Sequence, residues 1–165
     1  MPIATNEYPA LDQKDRKILD LVQRDGRMPQ AEIARQVQLS TASVSERLKK
    51  LEAAGFIRRT VAVVDAKAVG AAITAFVEVF IEHPRHEPAF LALVREFDEV
   101  QECHHITGDF SLLLKVRVRD MAALQELLIQ RMGAAEGVRQ TRTIIVLSTS
   151  KEESFVPTGA TGATP

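Results

Sequence analysis

The stretch from Leu39 to Gly55, LSTASVSERLKKLEAAG, most constrains the fold, because it carries both end signals of a helix. Ser40 can accept a hydrogen bond from an amide of the first turn, and Gly55 can take the left-handed conformation that ends a helix. Between these ends, an apolar stripe at helical spacing predicts one buried face, formed by Val44, Leu48 and Leu51.

The other side of this predicted helix is small at its N-terminal end and basic at its C-terminal end. Small residues let a helix enter a groove, hydroxyls and Arg reach base edges, and Lys reaches phosphates. We therefore predict a DNA recognition helix, with a solvated face of mixed charge as the alternative. The predicted contact residues are Thr41, Ser43, Ser45, Glu46, Arg47, Lys49 and Lys50.

Two further helices precede the recognition helix. Asp12 is an N-cap candidate for the first, which ends at Asp25-Gly26, and the second spans residues 30–37. Three helices in this order, with a tight turn before the third, are typical of a helix-turn-helix domain. The β-rich run 56–64 then predicts the wing of a winged helix, in which Arg58 and Arg59 contact phosphates. A solvated turn is the alternative for this arginine pair.

The second half of the chain alternates between strand and helix patterns. Apolar residues alternate in the first and third predicted strands, whereas residues 89–97 and 121–132 have helical spacing. The order β-α-β-β-α-β predicts an α+β protein whose C-terminal domain has the ferredoxin-like βαββαβ fold. The predicted strands are 71–82, 100–107, 110–118 and 138–148, and the predicted helices are 89–97 and 121–132.

Both faces of the predicted sheet are apolar. Since the two helices cover only one face, we predict that a second copy of the chain packs on the other, which carries Phe76, Phe80, Leu113, Ile144 and Val146. The predicted organisation is an arm at 1–10, a winged helix-turn-helix domain at 11–65, a linker at 66–70, the ferredoxin-like domain at 71–150 and a disordered tail at 151–165.

Composition sets broader limits on the 165-residue chain. The N-terminus has no apolar run typical of a signal peptide, and no stretch of about 18 apolar residues suggests a membrane helix, so we expect a cytoplasmic protein that does not contact membranes. The net charge is −1, but residues 1–65 hold 11 Lys and Arg against 9 Asp and Glu, while residues 66–165 hold 10 against 13. The more basic part is therefore the predicted DNA-binding part.

Neither a metal site nor a catalytic site is predicted. Cys103, His104 and His105 are all possible zinc ligands, but adjacent strand residues point to opposite faces and the chain has no second cysteine. Ser111 with a histidine and Asp109 would be needed for a hydrolase, yet no nucleophile elbow surrounds Ser111. We expect no enzyme activity and no cofactor.

The chain resembles the Lrp/AsnC (leucine-responsive, feast/famine) transcription regulators over roughly residues 11–150. The resemblance depends on LDQKDRKILDLVQRDGR, LSTASVSERLKKLEAAGFIRRTVAVVD, TGDFSLLLKV and GVRQTRTIIVL. It implies a DNA-binding regulator of transcription that assembles as dimers and then as tetramers or octamers. The alternative is a ligand-binding or assembly module without specific DNA binding.

The resemblance also implies an amino-acid effector site at the loop between the second and third strands. The residues that it assigns to this site are Thr107, Gly108, Asp109, Phe110 and Ser111. The family usually has Asp where this chain has Ser111, so a carboxylate that could pair with an effector's ammonium group is missing. A plain hairpin at Gly108-Asp109 is therefore the alternative to an effector loop.

Overall fold

The structure is a computed structural model that describes residues 8–159. The chain forms two units, one made of the residues up to Ala62 together with the segment from Lys151, and the other made of Val63–Ser150. Most of the predicted arm lies outside the described residues, and residues 8–10 have neither helix nor strand.

The first unit contains the three predicted helices, α1 (Gln13–Arg24), α2 (Gln30–Val37) and α3 (Thr41–Ala53). Their apolar faces share one core. The turn between α2 and α3 is tight because Gln38 takes a left-handed conformation with φ of 55°. The fully or nearly fully buried side chains are Ile18, Leu19, Ile33, Ala34, Val37, Val44 and Leu51.

Both predicted helix caps are confirmed. The Asp12 carboxylate accepts from the amide of Asp15 at 2.7 Å, and the Asp15 carboxylate accepts from the amide of Asp12 at 3.2 Å, so the two residues form a capping box. Ser40 Oγ accepts from the amide of Ser43 at 3.1 Å. Gly55 follows α3 with φ of 78°, the conformation that favours glycine.

The strand that we predicted within residues 56–64 is absent, so that prediction is wrong for the single chain. Phe56 and Ile57 pack against the helical core, but Val61, Val63 and Val64 are 62%, 91% and 59% exposed. A strand needs a neighbouring strand to pair its backbone groups, and no described segment of this chain pairs with residues 58–64.

The second unit is a four-stranded antiparallel sheet with helices, as predicted. Its elements are β1 (Ile73–Ile81), α4 (Glu87–Arg95), β2 (Val100–His105), β3 (Leu112–Val118), α5 (Met121–Gln125) and β4 (Val138–Ile145). The strand order β2-β3-β1-β4 is that of the ferredoxin-like arrangement. The inward residues of β1 and β3 alternate strictly with outward ones and form the core with both helices.

The helix predicted at 121–132 is only partly α-helical. Asp120 caps its start, but residues 126–132 form wider π-helical turns. Gly133 ends these turns, and a Cβ there would lie 2.9 Å from the carbonyl oxygen of Leu128. The other helix begins at Glu87, two residues earlier than predicted, after a 3₁₀ turn at Pro84–His86.

Within the tail that was predicted to be disordered, residues 155–158 contact α1. These residues lie along α1, where Val156 and Thr158 form hydrogen bonds with its side chains. Composition predicted disorder because the segment has few apolar residues, and composition does not reveal these polar contacts. The rest of the tail prediction, at 160–165, lies outside the described residues.

A matched pair of glycine substitutions tests the packing of the second unit. Gly70 and Gly137 have similar φ values of 88° and 84°, but a Cβ at Gly70 meets open space, whereas one at Gly137 would lie 2.3 Å from Cβ of His86. We expect Gly70→Ala to lower the free energy of unfolding by roughly 1–2 kcal/mol from backbone strain alone. Gly137→Ala should cost about 2 kcal/mol more, because His86 must move.

Urea unfolding at one fixed protein concentration measures both glycine variants. Fixing the concentration keeps any assembly contribution equal. Equal losses for the two variants would contradict the packing of His86 on Gly137.

Candidate DNA-binding face and effector site

The exposed side of α3 carries several of the predicted DNA contacts. Thr41 is exposed in the first turn, Lys49 is exposed near the C-terminal end, and Glu46 forms an exposed ion pair with Lys50 at 2.7 Å. This pair lowers the pKa of the Glu46 carboxyl, since the Lys50 ammonium donates to it. The face therefore presents small residues first and Lys side chains last, as predicted.

Arg47 lies on the side of α3 that meets α1. Its guanidinium is 2.6 Å from Oδ2 of Asp12 and 2.6 Å from Oδ1 of Asp15, and only 30% of its side chain is exposed. A base contact by Arg47 would require breaking both ion pairs. The structure thus places Arg47 as a link between the recognition helix and the capping box of α1, not on the outer face.

The ionisation of this cluster follows from its contacts. The Asp15 amide lowers the pKa of the Asp12 carboxyl most strongly, and the Arg47 guanidinium adds to the effect, although burial opposes it. The carboxylates of Asp12 and Asp15 raise the pKa of Arg47 in turn. The charged forms are therefore favoured on both sides of the helix contact.

The remaining predicted DNA contacts occupy three different environments. Ser43 is half-buried, and its hydroxyl lies 2.8 Å from that of Ser40, so it belongs to the cap. Ser45 is half-buried on the flank of α3. Arg58 and Arg59 are both exposed in the segment that follows α3.

The predicted effector loop connects β2 to β3. Thr107, Gly108 and Asp109 are exposed, and Gly108 has φ of 117° with open space where a Cβ would project. Ser111 anchors the loop to the end of β1: its amide donates to the carbonyl of Val79 at 3.0 Å, and its hydroxyl accepts from the amide of Ile81 at 3.3 Å. The Ser111 hydroxyl therefore has a structural partner in the sheet.

Arg142 of β4 is a candidate site residue that sequence reasoning missed. Its guanidinium lies 5.0 Å from the centroid of the Phe110 ring and forms an ion pair with Glu78, its register partner on β1. Glu78 raises the pKa of Arg142, and the nearby charge of Asp109 adds to this shift. The pairing register of β1 with β4 brings Arg142 to the loop, and this register cannot be read from the sequence.

The side chains considered as metal ligands have separate partners. His104 lies 3.2 Å from Glu102, and His105 lies 2.8 Å from Glu87 at the start of α4. Burial raises the pKa of the Cys103 thiol, and the charge of Glu87 raises it further. Within residues 8–159, no three His, Cys, Asp or Glu side chains come together as a metal site. Over the same part of the chain, no helix is long and apolar enough to span a membrane.

Known proteins match both units. Residues 74–156 match the family described as the Lrp/AsnC ligand binding domain, and residues 11–58 match the winged helix-turn-helix DNA-binding family. The leucine-responsive regulatory protein of Salmonella typhimurium is 38% identical over 146 residues, which are 87% of this chain and 89% of that protein. The chain belongs to the Lrp/AsnC family.

Solved structures agree with this membership. A transcriptional regulator of Neisseria meningitidis in complex with L-Met has a TM-score of 0.87 at 31% identity, covering 91% of this chain and 98% of that chain. AsnC of Escherichia coli has a TM-score of 0.83 at 29% identity, covering 89% and 99%. The Lrp/AsnC fold, the DNA-binding regulatory function and the expectation that the chain is not an enzyme are thereby confirmed.

The role of Arg47 in this Lrp/AsnC regulator is testable by stability measurements. Arg47→Met keeps the apolar stem but removes the charge, and we expect it to lower the free energy of unfolding by about 1 kcal/mol. The matched control is Arg35→Met, which breaks only the exposed pair of Arg35 with Glu32. An equal effect of the two variants would contradict the linking role of Arg47.

The same cluster predicts a dependence of stability on pH. Because the folded-state pKa of Asp12 lies below its ordinary value of 3.8, its ionised form stabilises the fold fully above that value, and this contribution is lost as the pH falls through the folded-state pKa. Asp12→Asn keeps a cap acceptor but removes the charge. In urea unfolding, the free energy of unfolding of this variant should be lower than that of the wild-type protein at neutral pH, and the difference should shrink below about pH 4. A difference independent of pH would contradict the assignment.

Proposed function

We propose that this Lrp/AsnC regulator binds specific DNA sequences through the exposed side of α3 and that an amino acid or a related small molecule modulates the binding. The observation that carries the proposal is the capped α3, with Thr41 exposed at its start and Lys49 at its end. The ligand-binding unit in the same chain supports the second part. Such a regulator acts where the chromosome is, in the cytoplasm.

The proposed DNA contacts divide by chemistry. Thr41, Ser43, Ser45 and Glu46 lie towards the N-terminal end of α3, where short side chains approach base edges in the major groove. Lys49, Lys50, Arg58 and Arg59 are exposed cations and are assigned to phosphates. Arg47 keeps α3 at its angle to α1, so its contribution to DNA binding is indirect.

Assembly through the outer face of the sheet is the proposed source of dimers. This face opposes the helices and exposes Phe80, Ile144 and the nearby Leu147 at 36%, 48% and 97%. A second copy that covered it would remove apolar surface from water. Two recognition helices about 34 Å apart would then read an imperfect palindrome. Further pairing of such dimers would give tetramers or octamers.

The proposed effector is a zwitterion held at the loop 107–111. Asp109 is exposed for the ammonium group, while the Arg142 guanidinium, with the side chain 60% exposed, and the open backbone at Gly108 suit the carboxylate. The Neisseria relative solved with L-Met supports this class of ligand. Ser111 holds the loop in place and supplies no charge, so Asp109 carries the cation recognition alone.

The first test of the DNA face is the substitution Lys49→Ala. We expect weaker operator binding at every sequence tested and a reduction of about one in the slope of log affinity against log salt, because one phosphate contact is lost. Fluorescence anisotropy over a salt series measures the slope. The control is Lys17→Ala, an exposed lysine of α1. An unchanged affinity and slope for Lys49→Ala would contradict the assigned face and favour an assembly module without specific DNA binding.

The second test asks whether amino acids bind the ligand-binding unit. A ligand that binds only the folded state stabilises it by roughly 2.7 kcal/mol at a hundredfold excess over its dissociation constant. We expect one class of amino acid to raise the thermal unfolding temperature of the intact protein and Arg142→Met to abolish the rise. Arg139→Met, which removes an exposed arginine from the same strand, should keep it. No rise with any of the twenty amino acids at millimolar concentration would contradict the proposed effector.

A further inference from the structure

The side of α1 that faces away from the core carries four polar side chains in one row. Arg16, Asp20, Gln23 and Arg24 follow helical spacing, while Ile18 and Leu19 of the same helix are buried. All four contact residues 155–158. Residues 155–158, which have neither helix nor strand structure, therefore cover this row of side chains.

Three of these side chains bond the backbone of the segment, and among them Oδ1 of Asp20 accepts from the amide of Thr158 at 3.4 Å. The side-chain amide of Gln23 bonds both backbone groups of Val156: its Nε2 donates to the carbonyl at 3.0 Å, and its Oε1 accepts from the amide at 2.8 Å. The guanidinium of Arg16 donates to the carbonyl of Thr158. These bonds fix an extended backbone and leave the Val156 side chain 67% exposed.

The other contacts select side chains. The Thr158 hydroxyl lies 2.8 Å from Oδ1 of Asp20 and 3.0 Å from the carbonyl oxygen of Arg16, and can donate to either. The Arg24 guanidinium lies 4.9 Å from the centroid of the Phe155 ring, a cation–π distance. The pattern recognised is an aromatic residue followed three positions later by threonine.

We infer that the outer side of α1 is a peptide-binding surface for an extended aromatic-x-x-Thr segment and that residues 155–158 of the same chain are its ligand. Because this ligand follows β4 in sequence, the ligand-binding unit is joined to the DNA-binding unit by two chain connections, at residues 62–63 and at 150–151. Release of the segment would leave one connection. The inference does not depend on which operator or effector the protein binds.

Hydrogen exchange of the intact protein, followed by mass spectrometry, tests whether the segment is bound. Thr158→Val removes the hydroxyl at nearly constant shape, and we expect exchange of residues 155–158 to rise roughly two- to ten-fold, as for loss of one hydrogen bond. Val156→Ala is the matched control, because Val156 is held by its backbone, and it should leave exchange unchanged. Exchange of this segment at the rate of a free peptide in the wild-type protein would overturn the inference.

A labelled peptide with the sequence of residues 152–159, EESFVPTG, tests the surface directly. In the full-length double variant Phe155→Ala/Thr158→Val the attached segment is weakened, so we expect the added peptide to bind and its anisotropy to rise. Wild-type protein should bind the peptide at least several-fold more weakly, because its own segment competes. Adding Gln23→Ala to the double variant should abolish binding, whereas adding Lys17→Ala should not.

Two results of the peptide experiment would overturn the inference. Absence of binding to the double variant at millimolar peptide would show that α1 offers no such surface. Equal binding to the wild-type protein and to the double variant would show that the attached segment does not occupy the surface.

Discussion

The ion pairs of Arg47 with Asp12 and Asp15 join the third helix of the DNA-binding unit to the start of the first. They are the directional contacts between these two helices outside the apolar core. Asp12 and Asp15 already cap α1, so the same carboxylates both start one helix and hold the third. Buried apolar contacts bring α1 and α3 together, but such contacts are not directional. The directional bonds at 2.6 Å add a specific contact between α1 and the flank of α3. Thr41 and Lys49 are exposed on the same helix.

In the ligand-binding unit, β1 has the corresponding central position, because it pairs with both β3 and β4. The register places Glu78 beside Arg142, and the bonds of Ser111 to Val79 and Ile81 fix the start of β3 against the same strand. The loop and Arg142 are therefore both held by contacts with β1. A ligand at Gly108 would act on an element whose ends are already held.

Local signals in the sequence predicted the fold well. Caps and apolar spacing gave the bounds of α2 and the start of α3, and the order of strands and helices gave the ferredoxin-like unit. These signals act over a few residues, which is why a sequence shows them. The direction of Arg47 was not predictable, because it lies on the flank of its helix and its partners are more than thirty positions away. Arg142 was missed for the same reason, since only the strand register brings it to Phe110.

The other differences also arise where local patterns carry no information about partners. Residues 58–64 have the composition of a strand, yet they have no strand beside them among residues 8–159. The segment 155–158 has the composition of a tail, but Gln23 and Asp20 hold it. In the helix after Asp120, apolar spacing did not reveal the π-helical turns at 126–132, because one wider turn changes the spacing very little.

The contact of residues 155–158 with α1 makes the DNA-binding unit discontinuous in sequence. Its three helices are made before the sheet unit, while the segment 155–158 is made after it. During synthesis the sheet unit therefore emerges and folds between the two pieces of its neighbour. A chain in which this contact has formed has therefore been translated through the whole sheet unit, and a chain that stops before residue 155 carries the recognition helix without the contact.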